Sequence, residues 1–526
     1  MAESAYYIML NGNKDILSNS FIKDTSDNLY AIGISQSNEI RIENKIFSRN
    51  SSDPAGFIVK FDNNGYIEWL TWVNAIGDGN YVKLYEITHD KDDNIYITGH
   101  TNSKSIIINS NPYERNDISK SSFIIKFSKN DKVIWFEWIN SDSNDHNYSI
   151  VCDKSNYIYI VGKTNSNSLY NSTKPIISTL TSTSTSTLTS TSTLTSTLTS
   201  TMPLIKHNEY AGYLIKMDSN TRNIKWIKWI EGIGNDEVNL IVLDSLNNIY
   251  ISGVSTSGSI QIDETIITRE NNNTTTYFAK ADSDGNIIEL KWIEGNEDLY
   301  SKSLTCDTFN NIYLSGITKS NNIIIDEINY SQLNKQKIIT PFIVKFNNNI
   351  NVEWLKWIEG DNIGYSPAIT TDNSNNVYMT GSTSSKHVII DEVEYKNVSD
   401  NNNAYIIKMN YNGDVKWFRW YENYDINTNT FIKDILVDKN YFVYINAHTN
   451  GNNIYFDDGY ISLSDDNLYK TFILKYNLND ILNETQLTLI INNNQNHNHN
   501  HNNIFYFVLF IIYIYAIWLL YKNNVI

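Results

Sequence analysis

The stretch Asp307-Thr-Phe-Asn-Asn-Ile-Tyr-Leu-Ser-Gly316, followed by Phe342-Ile-Val-Lys345 and Trp354-Leu-Lys-Trp357, decides how the chain reads. An Asp and polar residues ahead of an alternating apolar run is the chemistry of a turn entering a strand. The pattern Asp-x-x-x-Asn-(Ile/Val/Leu)-Tyr-x-x-Gly recurs, with its last small residue at Gly33, Gly99, Gly162, Gly253, Gly316, Gly381 and Ala447. Successive spacings are 66, 63, 91, 63, 65 and 66 residues. The long interval contains the Thr/Ser tract from Ser178 to Thr201, and an insertion of about 27 residues there accounts for it. The 526 residues therefore read as seven repeated units rather than as several unrelated domains.

Nine residues before each small residue stands an Asp: Asp24, Asp90, Asp153, Asp244, Asp307, Asp372 and Asp438. Each precedes Asn- or Ser-rich residues and a strand-like run, so each is expected to cap a hairpin turn. A ring of seven metal ligands is the competing reading, and the absence of a DxDxDG loop weighs against it. A second strand carries one Lys per unit, at Lys60, Lys126, Lys216, Lys280, Lys345, Lys408 and Lys475. Polar turns such as Asp62 to Gly65 and Asp282 to Gly285 close it into the next strand.

That last strand carries aromatic pairs three apart: Trp69/Trp72, Trp135/Trp138, Trp226/Trp229, Trp354/Trp357 and Trp417/Trp420, with Glu289/Trp292 as the degenerate member. Residues i and i+3 on a strand point to opposite faces, so each sheet must be buried on both sides. Sheets stacked radially meet that condition. A glycan-stacking platform is the alternative use of such pairs, but their recurrence in nearly every unit favours core. Short runs such as IRIENKIF from Ile40, IQIDETII from Ile260, IIIDEINY from Ile323 and VIIDEVEY from Val388 read as an extra hairpin elaborating the loop between the second and third strands.

This pattern resembles the seven-bladed β-propeller repeat family, on Asp307 to Gly316, Phe342 to Lys345 and Trp354. The resemblance covers about Ala5 to Tyr476. It implies an all-β fold, a seven-bladed propeller of four-stranded antiparallel blades over residues 5–480, with the Thr/Ser insertion 178–201 in blade 3. It implies no shared catalytic motif and so transfers no activity. Unit seven lacks a Trp pair after Lys475, and the orphan segment Ala5 to Leu10 is expected to supply its missing outer strand and close the ring.

The C-terminal region differs. Residues 481–503 read as an Asn/His-rich linker, and Ile504 to Tyr521 (IFYFVLFIIYIYAIWLLY) is uncharged and almost wholly apolar. As a helix it would be about 27 Å long, enough to cross a bilayer core. Met1 to Gly12 has neither the basic nor the apolar region of a secretory signal. A single-pass tail anchor with the propeller on the cytosolic side is the expectation.

With 41 Lys+Arg against 58 Asp+Glu the net charge is −17, which argues against a nucleic-acid partner bound through its phosphate backbone. Residue usage rich in Asn, Ile, Lys, Ser and Tyr is that of AT-rich codons, as in a protist or a large DNA virus. Cys152 and Cys306 hold equivalent positions two units apart, out of disulfide reach of each other. The run from His497 to Asn502 reads as a codon-repeat tract rather than a metal site, and no cofactor is implied.

The loops between units carry Asp78, Asp142, Asp145, Asp236, Glu237, Glu297, Asp298, Asp361 and Asp425 on one face. They form either a negative ring that recruits a basic partner or the solvated loops of an acidic protein, and composition favours the second. No GxGxxG, P-loop, GxSxG, HExxH or CxxC arrangement is present. The leading expectation is a membrane-tethered, non-enzymatic interaction scaffold, ahead of a surface-displayed glycan-binding propeller. A hydrolase or lyase comes third, since it would need acid and base groups from different units converging on the central channel.

Overall fold

The structure is a computed structural model that describes residues 6–477 except 52, 116–119, 142, 167–168, 172–173, 176–208, 270–272, 334–336, 363, 366–367, 398, 400, 426–427, 457–458 and 463–467. Every element among the described residues is a β-strand, and the architecture is propeller-like. The chain divides into Met1–Tyr476 and Asn477–Ile526. Among the described residues no helix is long and apolar enough to cross a membrane. The Thr/Ser tract, the linker 481–503 and the apolar segment 504–521 lie outside the described residues.

The second unit shows the plan. Val82–His89, Ile95–Thr101, Ser121–Phe127 and Val133–Asn140 pair antiparallel in that order. The same sequence of pairings recurs in each unit, and in the seventh the fourth strand is Tyr6–Leu10, paired with Lys470–Asn477 from Tyr6↔Lys475 to Leu10↔Thr471. The first strands of successive units adjoin one another, and that of the seventh, Thr430–Val437, adjoins that of the first, Ile16–Lys23. The first and last described strands thus meet within one sheet.

The repeat Asp makes the expected turn. Asp24 Oδ1 accepts from the amides of Ser26 and Asn28, while Oδ2 accepts from Asn28 Nδ2 and the Tyr30 hydroxyl. Amide acceptance of the same kind recurs at Asp90, Asp153, Asp244, Asp307, Asp372 and Asp438. Three residues on, the backbone enters the left-handed region at Asp27, Asp93, Asn156, Asn247, Asn310, Asn375 and Tyr441. Asn and Asp tolerate that conformation better than other non-glycine residues. Side chains at this position also accept hydrogen bonds from the previous unit, as the Asp93 carboxylate does from Thr25 and the Asn375 amide oxygen from Thr308.

The Trp pairs do face opposite ways. Trp69 packs with Tyr30 and Phe127 in the cluster between units one and two, whereas Trp72 packs against the cluster that holds Leu10, Phe57 and Ile473, between units seven and one. Trp138, Trp229 and Trp357 are buried, while Trp72, Trp292 and Trp420 are partly so. Arg49, Arg115 and Arg269 cover the rings of Trp72, Trp138 and Trp292 at 5.0, 5.3 and 5.1 Å. Such guanidinium stacking shields the outer aromatic from water.

The extra hairpins have a role that their sequences do not disclose. Each attaches not to its own unit but to the outer strand of the unit before. Ile106↔Ala75 joins unit two to one, Ile260↔Gly232 four to three, and Ile323↔Gly295 five to four. Single bridges Glu422↔Tyr455 and Asn11↔Arg41 make the corresponding links of units seven and one. Alternating Ile side chains, such as Ile106 and Ile108 or Ile323 and Ile325, are wholly or almost wholly buried by this attachment. Each such side chain contributes roughly 1.5–3 kcal/mol by its removal from water.

Candidate ligand site in the central channel

A cavity of about 470 Å³ is lined by the first strand of every unit. Its geometry comes from a bulge repeated at one place, between Ser18/Ser20, Leu84/Glu86, Asn147/Ser149, Val238/Leu240, Ser301/Ser303 and Ile432/Asp434. A bulge sets two residues against one on the partner strand and re-aims the side chains there. The repeat glycine makes room for it. A Cβ on Gly99 would lie 2.3 Å from the Lys83 carbonyl, and one on Gly253 would lie 2.0 Å from that of Glu237.

The positions so presented are four and five residues before the repeat Asp. Four before stand Ser20, Glu86, Ser149, Leu240, Ser303, Ala368 and Asp434. Five before, among the described residues, stand Asn19, Tyr85, Tyr148, Asn239, Lys302 and Lys433. The sequence reading missed them because it followed what the units share. The available signal was the opposite one: these are positions at which otherwise similar units part company, several of them becoming polar or charged.

Two carboxyls converge on one side. Ser20 Oγ donates to Glu86 Oε1 at 2.5 Å, and the amides of Phe21 and Ile435 donate to Asp434 at 3.3 and 2.9 Å. Enclosure by protein pushes the Glu86 carboxyl up to about 7. Enclosure, reinforced by the neighbouring Glu86 charge, pushes Asp434 up to about 8. Two coupled carboxyls of this kind titrate as a pair and hold a proton near neutrality. The cavity also receives Lys302 and Lys433, each depressed by burial, with Lys433 adding like-charge repulsion on Lys302.

Seven residues before the repeat Asp, outside the cavity lining and nearer the inter-unit loops, stand the positions termed the rim: Leu17, Lys83, His146, Glu237, Tyr300, Tyr365 and Phe431. Glu237 pairs with Lys163 at 2.7 Å and accepts from the Tyr148 hydroxyl at 3.1 Å. The rings of His100 and His146 lie 4.5 Å apart, and burial drives the two imidazoles down to about 3 and about 4, so both are neutral at physiological pH. Tyr300 and Tyr365 remain 37% and 38% exposed, with Tyr365 edge-on to Phe431.

The acidic loop residues fall out differently from a free negative ring. Asp145 and Asp236 are completely buried: Asp145 accepts from Ser141, and Asp236 from Ser255 and Ser257. Neither is accessible to a partner, because a loop acid next to a strand end satisfies hydroxyls and amides that would otherwise be stranded. Asp298 and Asp361 are exposed yet accept from the amides of Thr274 and Lys386, and Asp425 accepts from that of Asn452. Glu297 pairs with Lys337 at 3.1 Å, Glu237 belongs to the rim, Asp78 is exposed, and Asp142 lies outside the described residues. Cys152 and Cys306 are free thiols in different units, each raised to about 12 by burial.

A family model described as a beta-propeller repeat matches residues 71–107. No curated protein sequence gives a significant match. Similar solved structures include Sqt1 from Chaetomium thermophilum, 7% identical over 91% of this chain and 99% of that one, with a TM-score of 0.40. A mutant NanB sialidase from Streptococcus pneumoniae is 10% identical over 88% of this chain and 68% of its own, with a TM-score of 0.38. A protein of unknown function from Dyadobacter fermentans is 9% identical over 90% and 98%, with a TM-score of 0.36. Likenesses this distant carry no statement about activity.

Proposed function

We propose that the seven units form a closed seven-bladed β-propeller that acts as a non-enzymatic binding module, taking a small ligand into its channel from the inter-unit loop face. One observation carries this reading. The wall positions repeat almost unchanged, whereas the channel-lining positions diversify into Glu86, Lys302, Lys433 and Asp434. A channel needed only for packing would be lined by the same small apolar residues in every unit. The engaged state of most loop acids supports the channel over an acidic docking face. Residues 504–521 would tether the module to a membrane as a single-pass tail anchor, and protease protection in sealed microsomes tests that placement.

The direct test fills the cavity without altering its charge. Ala368→Trp in the full chain should abolish binding of any ligand found by ligand-observed NMR with a panel of sugars, sugar acids and sugar phosphates. Binding undiminished in Ala368→Trp would put the site elsewhere. The convergence of Glu86 and Asp434 favours a second reading, a hydrolase or lyase using that pair as acid and base. Turnover of a bound panel member that Glu86→Gln abolishes, with binding retained, would select it.

A further inference from the structure

We propose that the channel ligand carries an oxyanion, a carboxylate or a phosphate, held between Lys302 and Lys433. This rests on the reading of the channel as a binding site and adds the chemistry of what is bound. Lys302 and Lys433 are the residues inserted at their bulges, between Ser301/Ser303 and Ile432/Asp434, and both line the cavity. The unit between them contributes only Ala368 and Ile369 to the lining, so no carboxylate separates the two ammonium groups.

Three buried or nearly buried lysines of this protein show the usual arrangement, an ion pair. Lys60 meets Glu68 at 2.7 Å, Lys345 meets Glu353 at 2.7 Å and Lys291 meets Asp326 at 2.5 Å. Lys302 and Lys433 reach into the lumen with their side chains open to solvent, and neither has an ion pair or a hydrogen bond from the ammonium among the described residues; Lys302 lies 5.7 Å from the centre of the Tyr300 ring and feels the charge of Lys433. Two neighbouring ammonium groups with no carboxylate between them repel each other, and an oxyanion bridging them replaces that repulsion with charge-assisted hydrogen bonds.

The remaining charged groups fit that occupant. Glu237, at the rim, attracts Lys302 but is held by Lys163 and Tyr148. Glu86 and Asp434, on the other arc, are hydrogen-bonded away by Ser20 and by backbone amides, and a shared proton limits their repulsion of an anion. His448, close to Lys433, is neutral and hydrogen-bonded to the Ser18 carbonyl at 2.7 Å. Tyr300 and Tyr365 are partly exposed nearby, and the Tyr300 ring, 5.7 Å from the Lys302 ammonium, steadies that cation.

The experiment uses the full chain and four probes: glucose, glucuronate, glucose 6-phosphate and inorganic phosphate. At least one anionic probe should bind wild type about tenfold more tightly than glucose, and Lys302→Met/Lys433→Met should lose that advantage while Lys302→Arg/Lys433→Arg keeps most of it. The Met double variant should melt at or above the wild-type temperature, which separates lost binding from lost fold. Independently of any variant, phosphate should raise the wild-type melting temperature more than chloride does at equal ionic strength. If glucose binds as well as the anions and the Met variant is unaffected, the anion assignment is wrong while the binding channel stands. If no anion binds wild type or shifts its melting, the assignment is wrong; if, in addition, nothing in the wider panel binds, the channel reading falls with it.

Discussion

Two rings of residues, four positions apart on the same strands, behave in opposite ways. At Asp24 and its six counterparts every unit keeps the same residue and uses it in the same turn. At Ser20 and its counterparts the units carry Ser, Glu, Leu, Ala and Asp. Four residues of strand span about 13 Å. Over that distance the chain passes from positions set by turn geometry, which is the same in all units, to positions set by a lumen that all units share. A residue facing the lumen meets side chains from the other units, so identical residues there would place like against like. The Glu86 and Asp434 pair shows what even two such encounters do to a carboxyl.

The comparison is tested most severely at ring closure. Leu10 is fully buried on the strand that pairs with Lys470–Asn477 and packs with Ile16, Phe57 and Ile473. Leu10→Ala should cost about 3 kcal/mol in urea unfolding, and Leu10→Asp, which buries an unpaired charge, about 5 kcal/mol or the folded state altogether. If Leu10→Asp unfolded no more easily than wild type, the ends would not be holding the ring. Next comes the repeat turn. Asp307→Ala strands the amides of Phe309 and Asn311, the Asn311 side-chain amide and the Tyr313 hydroxyl. We expect a loss of about 3 kcal/mol, against no more than about 0.5 kcal/mol for Ser303→Ala in the channel. Equal losses at the two sites would erase the distinction between wall and lumen.

The same contrast governs what could be read without coordinates. Asp307, Tyr313, Lys345 and Trp354 were legible because each recurs, and recurrence together with period-two alternation specifies strand, turn and two-sided burial. The hairpins were legible as strands, since Ile323 to Tyr330 alternates, but not as clasps on the preceding unit. Alternation tells which face is buried and is silent about which neighbour buries it. Glu86, Asp434, Lys302 and Lys433 were not legible at all, because they come together from three different units. The bulge that aims them into the lumen leaves no motif of its own. The loop acids misled for a related reason: Asp145 and Asp236 look like exposed loop charges until the hydroxyls around them are in place.

A pH titration sharpens the comparison further, since the lumen holds two carboxyls with raised affinity for protons. Glu86 moves from an ordinary 4.5 to about 7 and Asp434 from 3.8 to about 8. Between those limits the folded state binds more protons than the unfolded state, so stability is fully present at low pH and declines as pH rises toward about 8. The melting temperature should fall between about pH 5 and about pH 8, and Glu86→Gln or Asp434→Asn should flatten the fall. A slope that survives both substitutions would assign it to other groups.

The smallest expected effect lies within the uniform ring, at its one irregular member. Three residues after the repeat Asp the left-handed backbone position holds Asp or Asn in six units and Tyr441 in the seventh, at a φ of 64°. A tyrosine pays a steric cost there that Asn largely avoids. Tyr441 offsets part of it, for its hydroxyl lies 3.1 Å from Ser374 Oγ and so ties unit seven to unit six. Both partners of that contact are exposed, so its net contribution is small. Tyr441→Asn should therefore raise stability by about 0.5–1 kcal/mol, read as a higher urea midpoint with an unchanged slope. A loss instead would mean that the tie to Ser374 matters more than the backbone strain, and that the seventh unit, whose sheet is completed by the N-terminal strand, is held to its neighbour by a different device from the other six.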